Sequence, residues 1–435
     1  MHRLFLILLA LLFLPLSARA DLASYLKKPE PKYSWKLKSK TEVLIGTVYE
    51  IDMISQEWQG IVWDHTIAII IPKNVKPTST MLLFNTGGTF KVTDAALALS
   101  LADKSKSPVA FLYGIPKQPL FDGLREDALI SETFVRYLKS KDEDWPLLFP
   151  MVKSLIKAMD TVQAFAKEEW KFEVKSFLVS GASKRGWTSW LTGASGDPRV
   201  KAIAPLVIDM LNFSKQIPLQ TASFGQPSEQ IKDYTEKGLL NYAQNPLGQK
   251  LWAMVDPYSY RDKVTIPKML IHGTNDPYWP QEATNMYWND LQGDKYLLYV
   301  PNAGHNLQQK TDDNPRDLSR AVNSLAAYTR CIVYDKPMPK LNWEHKDGSK
   351  PGMYEVVVTS NVKPKAVRLW QVENATRDMR KSTWTESPIN FSEGKSIGTV
   401  AAPQSGWKAF LAELEFEEEG NNFFLSTQLR MISAK

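Results

Sequence analysis

The sequence predicts an α/β protein: a mostly parallel sheet with helices on both faces and a cap insertion, followed by a small antiparallel β-sandwich. Three observations carry this reading. From Thr80 to Tyr328, short apolar runs alternate with segments of helical periodicity, the pattern of strand-helix-strand units. Residues 209–262 break that alternation with a polar, aromatic, partly helical stretch. It is far longer than the usual connection of roughly two to six residues, and has the right length for a cap over the sheet's edge. Beyond Cys331 the helical pattern stops and short strand-like runs take over.

Residues 21–40 are polar and rich in Lys and Pro, which predicts a loose arm. Thr41 to Ile51 and Trp63 to Ile71 alternate or run apolar with β-branched residues, predicting two antiparallel strands. Thr80 to Phe84 is a short apolar strand that ends in Asn85-Thr86-Gly87-Gly88. A helix over Ala95–Ala102 and a strand over Pro108–Tyr113 follow. Leu148, Met151, Leu155, Met159, Val162 and Phe165 recur at helical spacing between Trp145 and Trp170. Ser176–Ser180 then reads as a strand, Lys184–Ala194 as a helix and Lys201–Val207 as a strand. Two further strands, Lys268–His272 and Lys295–Val300, precede a last helix over Asp317–Tyr328. The α/β unit is thus expected over 21–335, a Pro/Lys-rich linker over 336–351 and the β-sandwich over 352–435.

The chain has 435 residues, 43% of them hydrophobic and 23% charged, ordinary values for a chain that folds around a core. Its first twenty residues read as a secretory leader: Arg3, an apolar run from Leu4 to Leu16, then Ala18-Arg19-Ala20 as the cleavage site. No cysteine follows that site, so a lipid anchor is not expected, and the protein is expected to be secreted or periplasmic. No later window is long and apolar enough for a membrane span. Without Arg3 and Arg19 the balance is 51 basic against 47 acidic residues, with signs mixed, so nucleic acid is not an expected partner. One cysteine rules out a disulfide framework, and no two of the five histidines have the spacing of a zinc helix. No metal or cofactor is expected.

Three loops carry chemistry. Phe177-Leu178-Val179-Ser180 runs into Gly181-Ala182-Ser183-Lys184-Arg185-Gly186-Trp187 and then a helix. A serine on such a sharp strand-to-helix turn pushes its hydroxyl out of the sheet, where a base reaches it. The usual signature is G-x-S-x-G; here Arg185 takes the second glycine's place and Gly186 comes one later. Met269-Leu270-Ile271-His272-Gly273-Thr274-Asn275-Asp276 places an acid after a buried strand, and Tyr299-Val300-Pro301-Asn302-Ala303-Gly304-His305 places a histidine after the next. Read alone, these could be a Ser/Gly turn, an Asx turn and a surface histidine. Together, Ser183, Asp276 and His305 follow the chain order of an α/β-hydrolase-type sheet, with His305 as base and Asp276 fixing its tautomer. His272 reads as structural.

An oxyanion hole would draw on the backbone N–H of Lys184 and on the N–H groups of Thr86, Gly87 and Gly88. Arg185 would offer its guanidinium to a substrate carboxylate or a developing oxyanion, or else sit in an ion pair of the helix layer. Trp187, Tyr278 and Trp279 would line a substrate pocket, or serve as core.

Several long motifs resemble the PhoPQ-activated pathogenicity-related protein family. They are Asn85-Thr86-Gly87-Gly88, Ile115-Pro116-Lys117-Gln118-Pro119-Leu120, Arg125-Glu126-Asp127-Ala128-Leu129-Ile130, Trp145 to Lys153, Gly181 to Thr188 and Ile271 to Asp276. The resemblance spans about residues 30–430. It implies a secreted protein of α/β-hydrolase type with a C-terminal β domain, tied in bacteria to virulence and antimicrobial-peptide resistance, with a eukaryotic branch that includes a secreted proliferation repressor. The stretch around Ser183 is also similar to the G-C-S-R-x-G of glucuronoyl esterases, which implies a cation beside the nucleophile.

The expected function is therefore a secreted serine hydrolase, peptidase or esterase, acting on a small-molecule ester or a peptide. A carbohydrate esterase is one alternative, and a non-catalytic binding or signalling protein on a hydrolase scaffold another.

Overall fold

The first strands are hairpins closed by short turns. In the computed structural model, which describes residues 21–91 and 95–434, β1 (Ser34–Val43), β2 (Gly46–Trp58) and β3 (Ile61–Pro72) pair antiparallel. Gln59 and Gly60 join β2 to β3 with φ of 51° and 74°, the double left-handed turn whose twist matches flanking strands. The expected leader, residues 1–20, lies outside the described residues.

The next six strands are buried along almost their whole length, as a parallel sheet covered on both faces requires. They are β4 (Thr80–Asn85), β5 (Val109–Leu112), β6 (Ser176–Ala182), β7 (Val200–Leu206), β8 (Lys268–Gly273) and β9 (Lys295–Val300). The nine strands lie in the order β1-β2-β3-β5-β4-β6-β7-β8-β9, parallel from β5 onward. Alternate strand residues feed two cores. Leu83, Val179 and Leu297 face one, against α3 (Glu126–Ser140), α4 (Leu148–Phe165) and α5 (Lys184–Gly193). Leu82, Leu178 and Leu298 face the other, against α2 (Ala96–Ser105) and α9 (Ser319–Val333). Cys331 on α9 is buried, and burial, followed by the charge of Glu418, pushes its thiol up to about 12. Between β7 and β8 the chain builds a helical cap from α6 (Phe213–Phe224), α7 (Lys232–Thr235), α8 (Pro246–Val255) and short turns.

The C-terminal part holds two antiparallel sheets. One orders β10 (Leu341–Asp347), β11 (Met353–Ser360) and β14 (Lys395–Ala401). The other joins β12 (Ala366–Asn374), β13 (Thr385–Pro388), β15 (Trp407–Glu418), β16 (Asn421–Ser426) and β17 (Arg430–Ser433). Val356, Leu369, Val400 and Leu414 share one core between them. This part docks on the first: Tyr299 N–H donates to Ser426 Oγ (2.9 Å), and Arg320 pairs with the fully buried Glu413 at 2.5 Å. No helix of the described residues is long and apolar enough to cross a membrane.

Four details differ from the sequence reading. The arm at 21–40 is not loose: α1 (Leu22–Leu26) buries Leu22 and Tyr25, and β1 starts at Ser34. The expected strand over 41–51 straddles a turn, because Leu44 and Ile45 continue the apolar pattern while standing 89% and 47% exposed at its tip. The expected linker at 336–351 contains β10, paired with β11 along its whole length. Helix α3, which the sequence reading passed over, carries Glu126 and Asp127 in its first turn.

Candidate active site

Ser183 stands between β6 and α5 with φ 58° and ψ −127°, a conformation that costs a non-glycine residue strain and is held only by its surroundings. Its N–H donates to Leu206 O (2.9 Å) on β7, and its C=O accepts from Trp187 N (2.9 Å). The neighbouring glycines explain the altered spacing. A Cβ on Gly181 would lie 2.4 Å from Asn85 Nδ2, and one on Gly186 would lie 2.8 Å from Leu206 O. Gly186 is therefore the glycine that lets α5 pack against β7, and the position of Arg185 has no such need. Asn85 ties the elbow from β4, donating to Ser180 O (2.8 Å), Arg185 O (3.2 Å) and Ser189 Oγ (3.1 Å).

Asp276 and His305 meet across two adjacent loops. His305 Nδ1 lies 2.8 Å from Asp276 Oδ2, and Asp276 Oδ1 accepts from Tyr278 N (2.9 Å). A carboxylate only accepts, so Nδ1 carries the hydrogen and Nε2 is left as an acceptor. Nε2 has no partner among the described residues. The Tyr278 ring stacks on the imidazole, with centroids 4.2 Å apart. Burial, then the charges of Asp127 and Asp276, pushes the Tyr278 hydroxyl up to about 12. The loops approach closely because residue 273 is glycine: a Cβ there would sit 2.3 Å from Ala303 O. His272 is 2% exposed, its ring tilted against Tyr299.

Lys184 is the first residue of α5, where a backbone N–H has no partner within the helix. The loop after β4 lies beside it, since Asn85 pairs with Gly181 in the sheet register. Gly87 and Gly88 N–H groups meet no acceptor among the described residues. Thr86 departs from expectation: its N–H donates to Leu112 O at 2.8 Å, because this residue still belongs to the ladder with β5.

Ser183 and His305 line one cavity of about 40 Å3, room for a few water-sized groups. Trp187, Phe213, Trp252 and Trp279 form its apolar wall, with Tyr278 beside His305. Phe213, Ile231, Tyr234 and Trp252 come from the cap, so the cap covers the Ser183 side of the sheet. The cavity's polar end was not anticipated. Lys184 Nζ pairs with Asp127 (2.9 Å) and Glu126 (3.3 Å), and Tyr234 donates to Asp127 Oδ1 (3.1 Å).

Arg185 does not reach the cavity. Its guanidinium holds both oxygens of Glu126, at 2.6 and 2.7 Å, while Nε donates to Ile115 O (2.6 Å). The fork is filled by α3, so of the two readings the ion pair is the one the geometry gives. Burial would raise the Glu126 carboxyl, but the Arg185 hydrogen bonds and charge, with Gln118 and Lys184, outweigh it and hold it down at about 2. Arg185 also packs under the loop after β4, where a Cβ on Gly87 would meet Nη2 at 2.2 Å.

Comparison with known proteins agrees with this architecture. Acetyl xylan esterase 1 from a Thermoanaerobacterium species superposes with TM-score 0.50 at 15% identity, covering 72% of this chain and 92% of its own. That likeness is one of fold, and the fold is that of α/β-hydrolases. A glucuronoyl esterase from Solibacter usitatus aligns at TM-score 0.37 and 12% identity over 65% of this chain and 86% of its own, too remote to carry an argument. The autocrine proliferation repressor protein A of Dictyostelium discoideum is 32% identical over 452 aligned positions, 94% of this chain and 89% of that protein. Residues 22–380 match the family description PhoPQ-activated pathogenicity-related protein, and the chain belongs to that family.

Proposed function

We propose that this protein is a secreted or periplasmic serine hydrolase that cleaves an ester or peptide bond. The observation that supports it best is the joint occurrence, around one cavity, of a strained Ser183 and an oriented His305 whose Nε2 is unengaged. In this reading Nε2 takes the Ser183 proton as Oγ attacks the carbonyl carbon, and returns it to the leaving group. Asp276 holds the tautomer and stabilises the imidazolium. The oxyanion is received by the N–H of Lys184 and those of Gly87 and Gly88. Water then repeats the cycle on the acyl-enzyme.

The narrow aromatic wall favours a small or flat acyl group over a long chain. A peptidase version fits the link to antimicrobial-peptide resistance that the family resemblance implies. The test is a fluorophosphonate probe followed by mapping of the modified residue, then turnover of p-nitrophenyl esters of rising acyl length, aminoacyl substrates and cationic peptides. Modification at Ser183, with short acyl esters preferred, supports the reading. Folded protein that is not modified there overturns it. That result would favour a non-catalytic signalling role, the reading that the name of the Dictyostelium relative supports.

A further inference from the structure

The acid and histidine loops are tied to the C-terminal part of the chain as well as to each other. Asn275, immediately before Asp276, donates Nδ2 to carbonyls of the segment between β12 and β13: Ser382 O at 2.7 Å, Arg380 O at 3.2 Å and Met379 O at 3.4 Å. Its Oδ1 accepts from Thr274 Oγ1 (2.7 Å), which in turn accepts from Asn302 N (2.8 Å). Asn302, three residues before His305, makes a reciprocal pair with the backbone of Trp384: Nδ2 to O at 3.0 Å, and N to Oδ1 at 2.7 Å. Met379 and Trp384 are 0% and 2% exposed, so the segment is anchored at both places. It also grips the cap, where Arg380 pairs with Glu229 (3.0 Å) and lies 3.8 Å over the Phe224 ring. Arg377 forms an ion pair with Glu282, past the acid loop.

Asn275 is half-buried and Asn302 exposed, yet both spend their side-chain amides on the segment, so the two loops cannot shift without breaking several of these bonds together. We propose that residues 375–384 act as a brace that sets the Asp276–His305 geometry, with Asn275 and Asn302 as its positioning residues. The C-terminal domain thereby supports the site rather than serving only as a separate module. The inference rests on the hydrolase reading, because positioning has meaning only if His305 takes a proton. The geometry it predicts can nonetheless be read without turnover.

The test is Asn302→Gly. Asn302 has φ 56°, so glycine removes both bonds to Trp384 without backbone strain. Three quantities are measured on the full-length protein: kcat and KM on the best p-nitrophenyl ester, the rate of fluorophosphonate modification of Ser183, and the far-downfield proton resonance of His305 Nδ1–H bonded to Asp276. A displacement of a fraction of an ångström to one ångström predicts a 10- to 100-fold fall in kcat and in modification rate, KM within a few-fold, and a broadened or lost resonance. Asn302→Asp keeps the acceptor for Trp384 N–H and should recover part of each loss; it also serves if the glycine variant fails to fold. A variant with the brace bonds removed but with kcat, modification rate and resonance as in the parent overturns the brace. Failure of the hydrolase reading looks different: the parent protein is not modified at Ser183, while its resonance still responds to Asn302→Gly.

Discussion

The two halves of the candidate site are held in place by different means. The nucleophile half is braced within its own domain. Gly181 and Gly186 allow close approach, Asn85 ties the elbow from the adjacent strand, and Arg185 locks α5 to α3 through Glu126. The acid and histidine half is braced from about a hundred residues further along the chain, by backbone carbonyls of the C-terminal domain. The first support is built on side chains of β4, α3 and α5. The second needs the 375–384 segment packed against both loops. Damage to the C-terminal domain should therefore weaken proton transfer before it disturbs the serine.

The largest effect comes from Ser183→Ala, which leaves both braces intact and removes what they serve. Hydrolysis should fall by about 10⁶. The melting temperature should change little, since the elbow's backbone bonds remain, and turnover retained in a folded Ser183→Ala protein would discard the assignment. The second comes from Gly273→Ala, which strikes the other half alone. The new methyl would collide with Ala303 O at 2.3 Å and Gly304 O at 2.5 Å, both backbone atoms. Overpacking of this kind costs about 1–3 kcal/mol. Turnover should fall at least tenfold while fluorophosphonate still reaches Ser183 slowly. An unchanged kcat would mean that the two loops need not touch.

The parts legible in the sequence are those that short windows encode. Ser183, Asp276 and His305 each follow a buried apolar run, and that local grammar sufficed to align them with the ends of β6, β8 and β9. The fold class followed from the same alternation. What stayed hidden depends on partners far along the chain. Asn275 and Asn302 look like ordinary turn residues until the 375–384 segment is folded against them. Arg185 was open between substrate and ion pair because its partner, Glu126, sits on a helix 59 residues away. One signal was available there: Glu126 and Asp127 followed by Leu129, Ile130, Phe134 and Tyr137 is an acidic first turn with an apolar face. The strand β10 was hidden by Pro and Lys around it, since edge strands tolerate both.

A third prediction separates support from chemistry in the nucleophile half. Arg185→Lys loses the fork that holds Glu126 and the bond to Ile115 O, which a lysine cannot copy. A charged hydrogen bond of this kind is worth roughly 1–2 kcal/mol, at the low end because the Glu126 side chain is 39% exposed. Calorimetry should show a lower melting temperature, with kcat/KM per folded molecule reduced less than tenfold. A larger loss of kcat/KM with an unchanged melting temperature would return Arg185 to the substrate.

The smallest effect is a pH dependence that again distinguishes two regions, the Glu126 pair and the cap. Glu126 is held at about 2 against an ordinary 4.5, so its contribution to stability is full above pH 4.5 and is lost as pH falls toward 2. Asp256, which accepts from Phe213 N (2.8 Å) and Tyr258 N (2.9 Å) in the cap, runs the other way. Burial outweighs those bonds and raises it from 3.8 to about 6. The folded state therefore binds this proton more tightly than the unfolded chain, and its contribution improves as pH falls from about 6 to 3.8. Melting curves across this range should show the cap's gain first and the Glu126 loss below it. Glu126→Gln should flatten only the lower limb, and Asp256→Asn only the upper one. If Glu126→Gln leaves the acid limb unchanged, the carboxylate that holds Arg185 is not the one whose protonation loosens the nucleophile half.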